Sequence, residues 1–247
     1  MHHFFVNPEQ VGNERILIIG PDVNHGKNVL RLREGEQICV SDKTGQDYVC
    51  EVELLESDRI QARILKREEE SRELPAWVTL YQGLPKGDKM ELIIQKAVEL
   101  GAAQIVPVAT KYAVVKLDKK REEGKRKRWQ AIAESAAKQS KRSRIPEIGP
   151  VMTMKEALES AGDFQVKLFA YESQDGMDGT KSQLSRVCPG QRIGIFIGPE
   201  GGFDPGEVRQ AMEQGWVPIS LGKRILRTET AGMALLAVLM MKLEGGI

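Results

Sequence analysis

The hydrophobic period of this chain changes at Pro75, and that change requires two different architectures in one sequence. Before it, the runs 15–19, 37–40, 47–55 and 59–66 are β-like, with Ile60, Ala62 and Ile64 alternating in the last, and they are broken by Gly, Asp and Asn. A period of two belongs to half-buried strands, so this part is predicted to form a small β-barrel-like domain. The segment 67–75 is almost wholly charged and ends in proline, as a solvated connection between two cores does, which places a domain boundary between residues 72 and 73.

Beyond Pro75, strands and helices alternate. The run 77–82 reads as a buried strand, and after it Met90, Ile93, Ile94, Ala97 and Val98 recur at helical spacing. Asp88 with Glu91 three residues later predicts a capping box at the start of that helix, and Gly101 a left-handed cap at its end. Further strands are expected at 105–109, 166–170, 192–197 and 217–221, with helices at 122–139, 204–214 and 229–243. Repeated strand–helix units imply an α/β chain with a mainly parallel sheet covered on both faces.

Composition narrows the function classes. With 36 Lys+Arg against 35 Asp+Glu the chain is neither a polycation nor an acidic solvating chain. No run approaches the roughly 18 apolar residues of a membrane span, and residues 1–4 lack a signal-peptide layout, so a soluble cytoplasmic protein without a membrane partner is expected. Cys39, Cys50 and Cys188 form no CxxC pair, and with three histidines in the chain neither disulfides nor a metal site is expected. No Ser/His/Asp or Cys/His nucleophile set is legible.

Two glycine-containing loops follow predicted strands and run into predicted helices. The first is Ile197-Gly198-Pro199-Glu200-Gly201-Gly202-Phe203, after which Asp204, Pro205 and Glu207 predict a firm helix start. It is neither a P-loop nor a dinucleotide fingerprint, but it sits at the carboxyl end of a strand, where α/β folds hold ligands. The second runs from Ser220 to Ala231, with Leu226 suited to a flat ring, Arg227 to an anion, Thr228 or Thr230 to a helix cap, and Glu229 to the positive end of the helix dipole. The last helix is apolar nearly all round, which implies burial against the sheet or a second subunit. Between Lys111 and Arg144 stand thirteen basic and four acidic residues, a footprint suited to a phosphate backbone, and Arg142 and Arg144 lie just past a helix end, where loops present functional groups.

Four stretches together, Gly83-Leu84-Pro85-Lys86-Gly87-Asp88-Lys89-Met90-Glu91, Gln139-Ser140-Lys141-Arg142-Ser143-Arg144-Ile145-Pro146, Ile197-Gly198-Pro199-Glu200-Gly201-Gly202 and Leu221-Gly222-Lys223-Arg224-Ile225-Leu226-Arg227-Thr228-Glu229-Thr230-Ala231, resemble the bacterial 16S ribosomal RNA (uracil-N3)-methyltransferase family of the SPOUT class. The resemblance implies an N-terminal PUA- or OB-like β-barrel over 1–72 that helps hold RNA. It implies a SPOUT domain over 73–247 with a parallel sheet and a trefoil knot, binding S-adenosylmethionine and working as a homodimer on 16S RNA of the small subunit. The cofactor residues it implies are Tyr171, Glu172, Ile197, Gly198, Pro199, Glu200, Gly201, Gly202, Leu221, Gly222, Ile225, Leu226, Arg227, Thr230 and Ala231. Arg142, Arg227 and Glu229 are the candidates for catalysis, and His3, Arg31, Lys86, Lys138, Arg142 and Arg144 for RNA contact. The family usually has an arginine where this chain has His3, which implies a weaker or pH-dependent contact there. The alternatives are a SPOUT enzyme acting on another RNA site or a ribose 2′-hydroxyl, and a ribosome-assembly factor without catalysis.

Overall fold

A computed structural model describes residues 1–115, 118–172 and 176–246. The chain forms two compact units, Met1–Glu73 with Ala137–Ile145, and Leu74–Ala136 with Pro146–Ile247. The return of 137–145 to the first unit has no signal in the hydrophobic period.

The first unit contains β1 (His2–Phe5), β2 (Arg15–Ile19), the short helix α1 (Pro21–Asn24), β3 (Gln37–Ser41), β4 (Asp47–Leu55) and β5 (Arg59–Arg67). Its sheet runs β1-β3-β4-β5-β2, with β1 parallel to β3 and the other pairs antiparallel. Alternation turns Ile16, Ile18, Ile38, Val40, Val52 and Ile60 into one core with Phe4, and the sheet curls around it. Register shifts at Val49/Cys50 and Val52/Leu54 sharpen the bend. Burying each large apolar side chain is worth roughly 1.5–3 kcal/mol. Cys39 and Cys50 are buried in this unit, whereas Cys188 in the other is exposed.

Two carboxylates fix the 137–145 segment. Asp47 accepts hydrogen bonds from Ser41 Oγ and, at 2.7 Å, from Ser143 Oγ. Glu73 accepts from the backbone N–H groups of Ser143 at 3.0 Å and Arg144 at 3.1 Å, and from the Arg142 guanidinium.

The second unit contains β6 (Trp77–Gly83), α2 (Lys89–Glu99), β7 (Gln104–Ala109), α3 (Lys119–Ser140, whose end crosses into the first unit), β8 (Glu147–Ile148), β9 (Met152–Thr153), α4 (Met154–Ser160), β10 (Val166–Ala170), α5 (Asp178–Ser185), β11 (Arg192–Ile197), α6 (Pro205–Glu213), β12 (Val217–Ile219) and α7 (Thr228–Leu243). The sheet order is β12-β10-β11-β6-β7-β8, with β9 also on β7 and every pair parallel. Tyr81, Phe169, Phe196, Phe203 and Trp216 pack into an aromatic core, with Phe169 and Phe203 ring centres 4.1 Å apart.

The local signals divide cleanly. Asp204 caps α6 through Gly206 N–H at 2.8 Å while Glu207 accepts from Asp204 N–H at 3.0 Å, so the expected helix start is formed. Gly101 has φ +89°, as its cap position requires. The capping box expected at Asp88 is not formed: Asp88 has ψ 9° rather than the extended conformation of a cap and makes no side-chain cap bond, and Glu91 pairs with Arg128 at 2.8 Å. Thr228 does not cap α7 either, since the N-cap is Arg227 and the Thr228 hydroxyl is used elsewhere. Helices α4 and α5 have no counterpart among the expected elements. α4 carries a complete Thr153/Glu156 capping box, a pattern visible in the sequence. On α7, Leu235, Leu236 and Leu239 are buried while Met241 is 44% exposed, so packing against α2 and β11 covers only part of the helix.

Candidate active site

The strand order of the second unit reverses: β7 and β8 extend the sheet to one side of β6, whereas β11, β10 and β12 lie on its other side. Ligands of open parallel sheets bind at carboxyl ends where the order reverses in this way. There the loops after β10, β11 and β12 enclose a cavity of about 360 Å³.

Close backbone packing sets the shape of this cavity. A Cβ on Gly83, at the end of β6, would stand 2.5 Å from Pro199 Cδ and 2.7 Å from Pro199 N, so only glycine lets these segments meet. The Thr228 hydroxyl donates to Gly198 O at 2.6 Å and accepts from Gln82 Nε2 at 2.8 Å, joining β6, the β11 loop and α7. At the rim, Lys89 Nζ donates to Glu200 Oε1 at 2.9 Å and lies 3.5 Å from Glu229 Oε2. Glu200 also accepts from Lys86 N–H. Burial pushes the Glu200 carboxyl up, but the bonds from Lys89 and from backbone N–H groups outweigh it and hold the group below its ordinary range. The same Glu200 bond raises Lys89.

Of the residues expected to hold a cofactor, Tyr171, Glu172, Ile197, Gly198, Pro199, Glu200, Gly202, Leu221, Gly222, Ile225, Leu226, Arg227 and Ala231 line this cavity. Gly201 and Thr230 do not; Gly201 faces Tyr112, and Thr230 is exposed on α7. Ile225 is 83% exposed at the lip. Glu229 reaches the cavity wall through Lys89. Lys89, Ser220, Lys223, Arg224 and Thr228 also line it; all but Lys89 belong to the loop 220–231 already singled out, though none of the five is marked for the cofactor by itself. Lys223 and Arg224 follow Gly222 directly, and with Arg227 they give the lip three exposed cations.

The residues expected to meet RNA are scattered in their surroundings. Arg31, Lys86 and Arg144 are exposed, Arg144 donating from Nε to Thr44 O at 2.9 Å. Lys138 pairs with Asp22 at 3.0 Å. Arg142 is 4% exposed and bound to Glu73, so its place beyond a helix end did not leave it open to a ligand. His3 Nε2 lies 2.6 Å from Ser41 Oγ, and burial lowers the His3 pKa. The window with thirteen basic residues is likewise partly neutralised, with Arg128 on Glu91 and Lys127 on Glu123. Lys116 lies outside the described residues.

His3, Cys39 and Asp47 bring ligand atoms within 4.8 Å of one another. They do not make a metal cage: both Asp47 oxygens accept serine hydroxyls, and burial pushes the Cys39 thiol up to about 11. Nor do His3, Ser41 and Asp47 form a nucleophile set, because the serine stands between the other two and donates to the carboxylate.

The RNA methyltransferase domain family matches residues 72–240, and the RNA methyltransferase PUA domain family matches residues 18–65. The ribosomal RNA small subunit methyltransferase E of Bacillus subtilis is 39% identical over 230 residues, covering 92% of this chain and 90% of that protein. Among solved structures, a ribosomal RNA small subunit methyltransferase E from Neisseria gonorrhoeae bound to S-adenosyl methionine is similar at a TM-score of 0.83 and 34% identity, covering 96% of this chain and 95% of that one. A putative methyltransferase from Legionella pneumophila, with the cofactor SAM bound, matches at a TM-score of 0.83 and 30% identity over 96% of each chain. A curled N-terminal sheet, a parallel sheet with its cavity at the strand ends, and matches spanning nearly the whole chain agree, and the chain belongs to the ribosomal RNA small subunit methyltransferase E family.

Proposed function

We propose that this protein transfers a methyl group from S-adenosylmethionine to N3 of a uridine in 16S ribosomal RNA. The observation that carries the reading is the cavity formed by the loops after β10, β11 and β12, in a chain similar throughout to a methyltransferase solved with that cofactor. The cavity fits the group in size and chemistry. About 360 Å³ is within the range of small-molecule sites, Ile197, Leu221 and Leu226 offer apolar surface for a flat ring, and Glu172 and Glu200 offer acceptors for hydroxyl and amino groups.

When bound, S-adenosylmethionine supplies the methyl group. The residues of the chain have to bring uracil N3 in line and manage its proton, since N3 is a poor nucleophile until that proton leaves. Arg227, exposed at the lip, stabilises the negative charge that develops on the base, and Glu229 accepts the N3 proton or orders the loop that holds the base. Arg142, buried on Glu73, holds its own segment in the first unit in place. The target nucleotide leaves its stack to enter the cavity.

The rest of the reading follows the family. The first unit binds RNA as a PUA-like domain, with Arg31 and Arg144 exposed for it, and Lys86 contributes from the second unit. The second unit threads a trefoil knot, supported by the passage of the chain from the outer strand β12 back to Gly198 and to α7, which packs on β11 and α2. The enzyme is a cytoplasmic homodimer acting on the small subunit, and the outward apolar side chains Met241 on α7 and Leu92 on α2 supply a dimer face. Among the described residues no helix is long and apolar enough to cross a membrane.

The test is incubation with labelled S-adenosylmethionine and unmodified 16S RNA, both naked and in small subunits, followed by digestion to nucleosides. Label in 3-methyluridine is the expected result. Label in another nucleoside or in a 2′-O-methyl ribose overturns the N3 assignment, and absence of cofactor binding overturns the enzyme reading in favour of a non-catalytic assembly factor.

A further inference from the structure

Lys89 occupies a place that helix formation alone does not favour. It is the first residue of α2, where the positive end of the helix dipole repels an ammonium group. Two carboxylates compensate, and each comes from a different loop of the cavity: Glu200 from the β11 loop at 2.9 Å, and Glu229 from the first turn of α7 at 3.5 Å. Glu229 Oε2 is shut off from solvent and takes no hydrogen bond among the described residues, so the nearby ammonium is what makes a carboxylate tolerable there. Glu200 is tied a second time, to Lys86 N–H, so the turn 86–89 and the β11 loop are joined at two points. Three segments at the carboxyl ends of separate strands thus meet on one side chain.

We infer that Lys89 is a positioning residue for methyl transfer: it bridges Glu200 and Glu229, and so fixes the β11 loop against the start of α7 in the arrangement that binds the methyl donor. This rests on the proposed function, because it assumes that the cavity is the donor site. The bridge acts before any chemistry. Without it, Glu200 and Glu229 stand as two carboxylates of like charge with no cation between them, and the loops separate. Arginine can span the same two acids with its planar donors, whereas methionine keeps the stem of the side chain and removes the charge.

The experiment compares wild type with Lys89→Met, Lys89→Arg and Glu229→Gln. S-adenosylmethionine affinity is measured by calorimetry, kcat and KM on small subunits, and folding by urea unfolding. Lys89→Met is expected to weaken cofactor binding about tenfold and to lower kcat at saturating cofactor, with Lys89→Arg recovering most of both. If Glu229 is the partner that matters, Lys89→Met in the Glu229→Gln background costs clearly less than in wild type. Wild-type affinity and turnover in Lys89→Met overturn the inference, as does a loss that the arginine variant does not rescue. A wild-type protein that binds no S-adenosylmethionine overturns the functional reading itself, an outcome seen before any variant is compared.

Discussion

Replacing Thr228 by valine tests whether the cavity is held by a hydroxyl or merely by packing. Valine keeps the shape of threonine and removes one oxygen. That oxygen donates to Gly198 O at 2.6 Å and accepts from Gln82 Nε2 at 2.8 Å, in a place where Thr228 is 5% exposed and Gln82 fully buried. Gln82 Nε2 retains its bond to Gly83 O at 3.0 Å, so its loss is partial. Turning the Gln82 amide over gives no relief, because its Oε1, already without a hydrogen-bond partner, would then face Gly83 O. An orphaned buried polar group costs about 1–3 kcal/mol, so one full and one partial loss amount to about 2–4 kcal/mol. Thr228→Ser keeps both bonds and gives up one methyl, about 1 kcal/mol. With a urea slope of roughly 2–3 kcal/mol/M, the valine variant is expected to unfold about 1 M earlier than wild type and the serine variant only slightly earlier. Calorimetry on the same proteins should show weaker S-adenosylmethionine binding for valine than for serine, since Gly198 belongs to the cavity wall. A valine variant as stable as the serine variant would refute the reasoning, and side-chain packing would then be what holds the three segments together.

Gly83→Ala places a Cβ 2.5 Å from Pro199 Cδ, so it should cost about 1–3 kcal/mol and weaken cofactor binding, both read by unfolding and calorimetry; unchanged affinity would mean the two segments separate freely. Arg227→Ala should lower kcat about 100-fold with little change in cofactor affinity, and full turnover would remove Arg227 from the mechanism. Burial lowers His3 from its ordinary value of 6.5, so the neutral form is favoured by folding; the stability this gives is present above that value and lost as pH falls below it. The urea midpoint of wild type should therefore drop more than that of His3→Gln between about pH 7 and 5, and parallel curves would show that His3 does not titrate against the fold.

What the sequence revealed depends on how local the cause was. Strands β2, β4 and β11 and the start of α6 follow from residues adjacent in the chain, so alternation and the Asp204-Pro205-Glu207 pattern sufficed to place them. The return of 137–145 to the first unit was invisible, because Asp47 and Glu73, which bind Ser143 and Arg142, lie far away in sequence. The partial neutralisation of the basic window was hidden for the same reason: residues 111–144 by themselves do not show that Glu91, Asp22 and Glu73 supply acids from outside. Arg142 shows the consequence most sharply. Its position just beyond a helix suggested reach, and its partner made it one of the most buried charged side chains in the chain.

The cavity shows the same division within a single site. Its backbone was legible: glycines after apolar strands imply loops that approach a ligand, and the loops identified in that way do line it. Its side-chain logic was not, because Thr228 reads as a helix cap and Lys89 only as one residue of the stretch 83–91. Helix-end chemistry is a prior that tertiary partners override. At Thr228 the partners are Gln82 and Gly198, and at Lys89 they are Glu200 and Glu229, all brought from other strand ends. A residue that reads as a cap can fail to make a cap bond because its polar group has been taken by something more demanding than its own helix. Thr228 is such a residue, and it stands on the wall of the cavity.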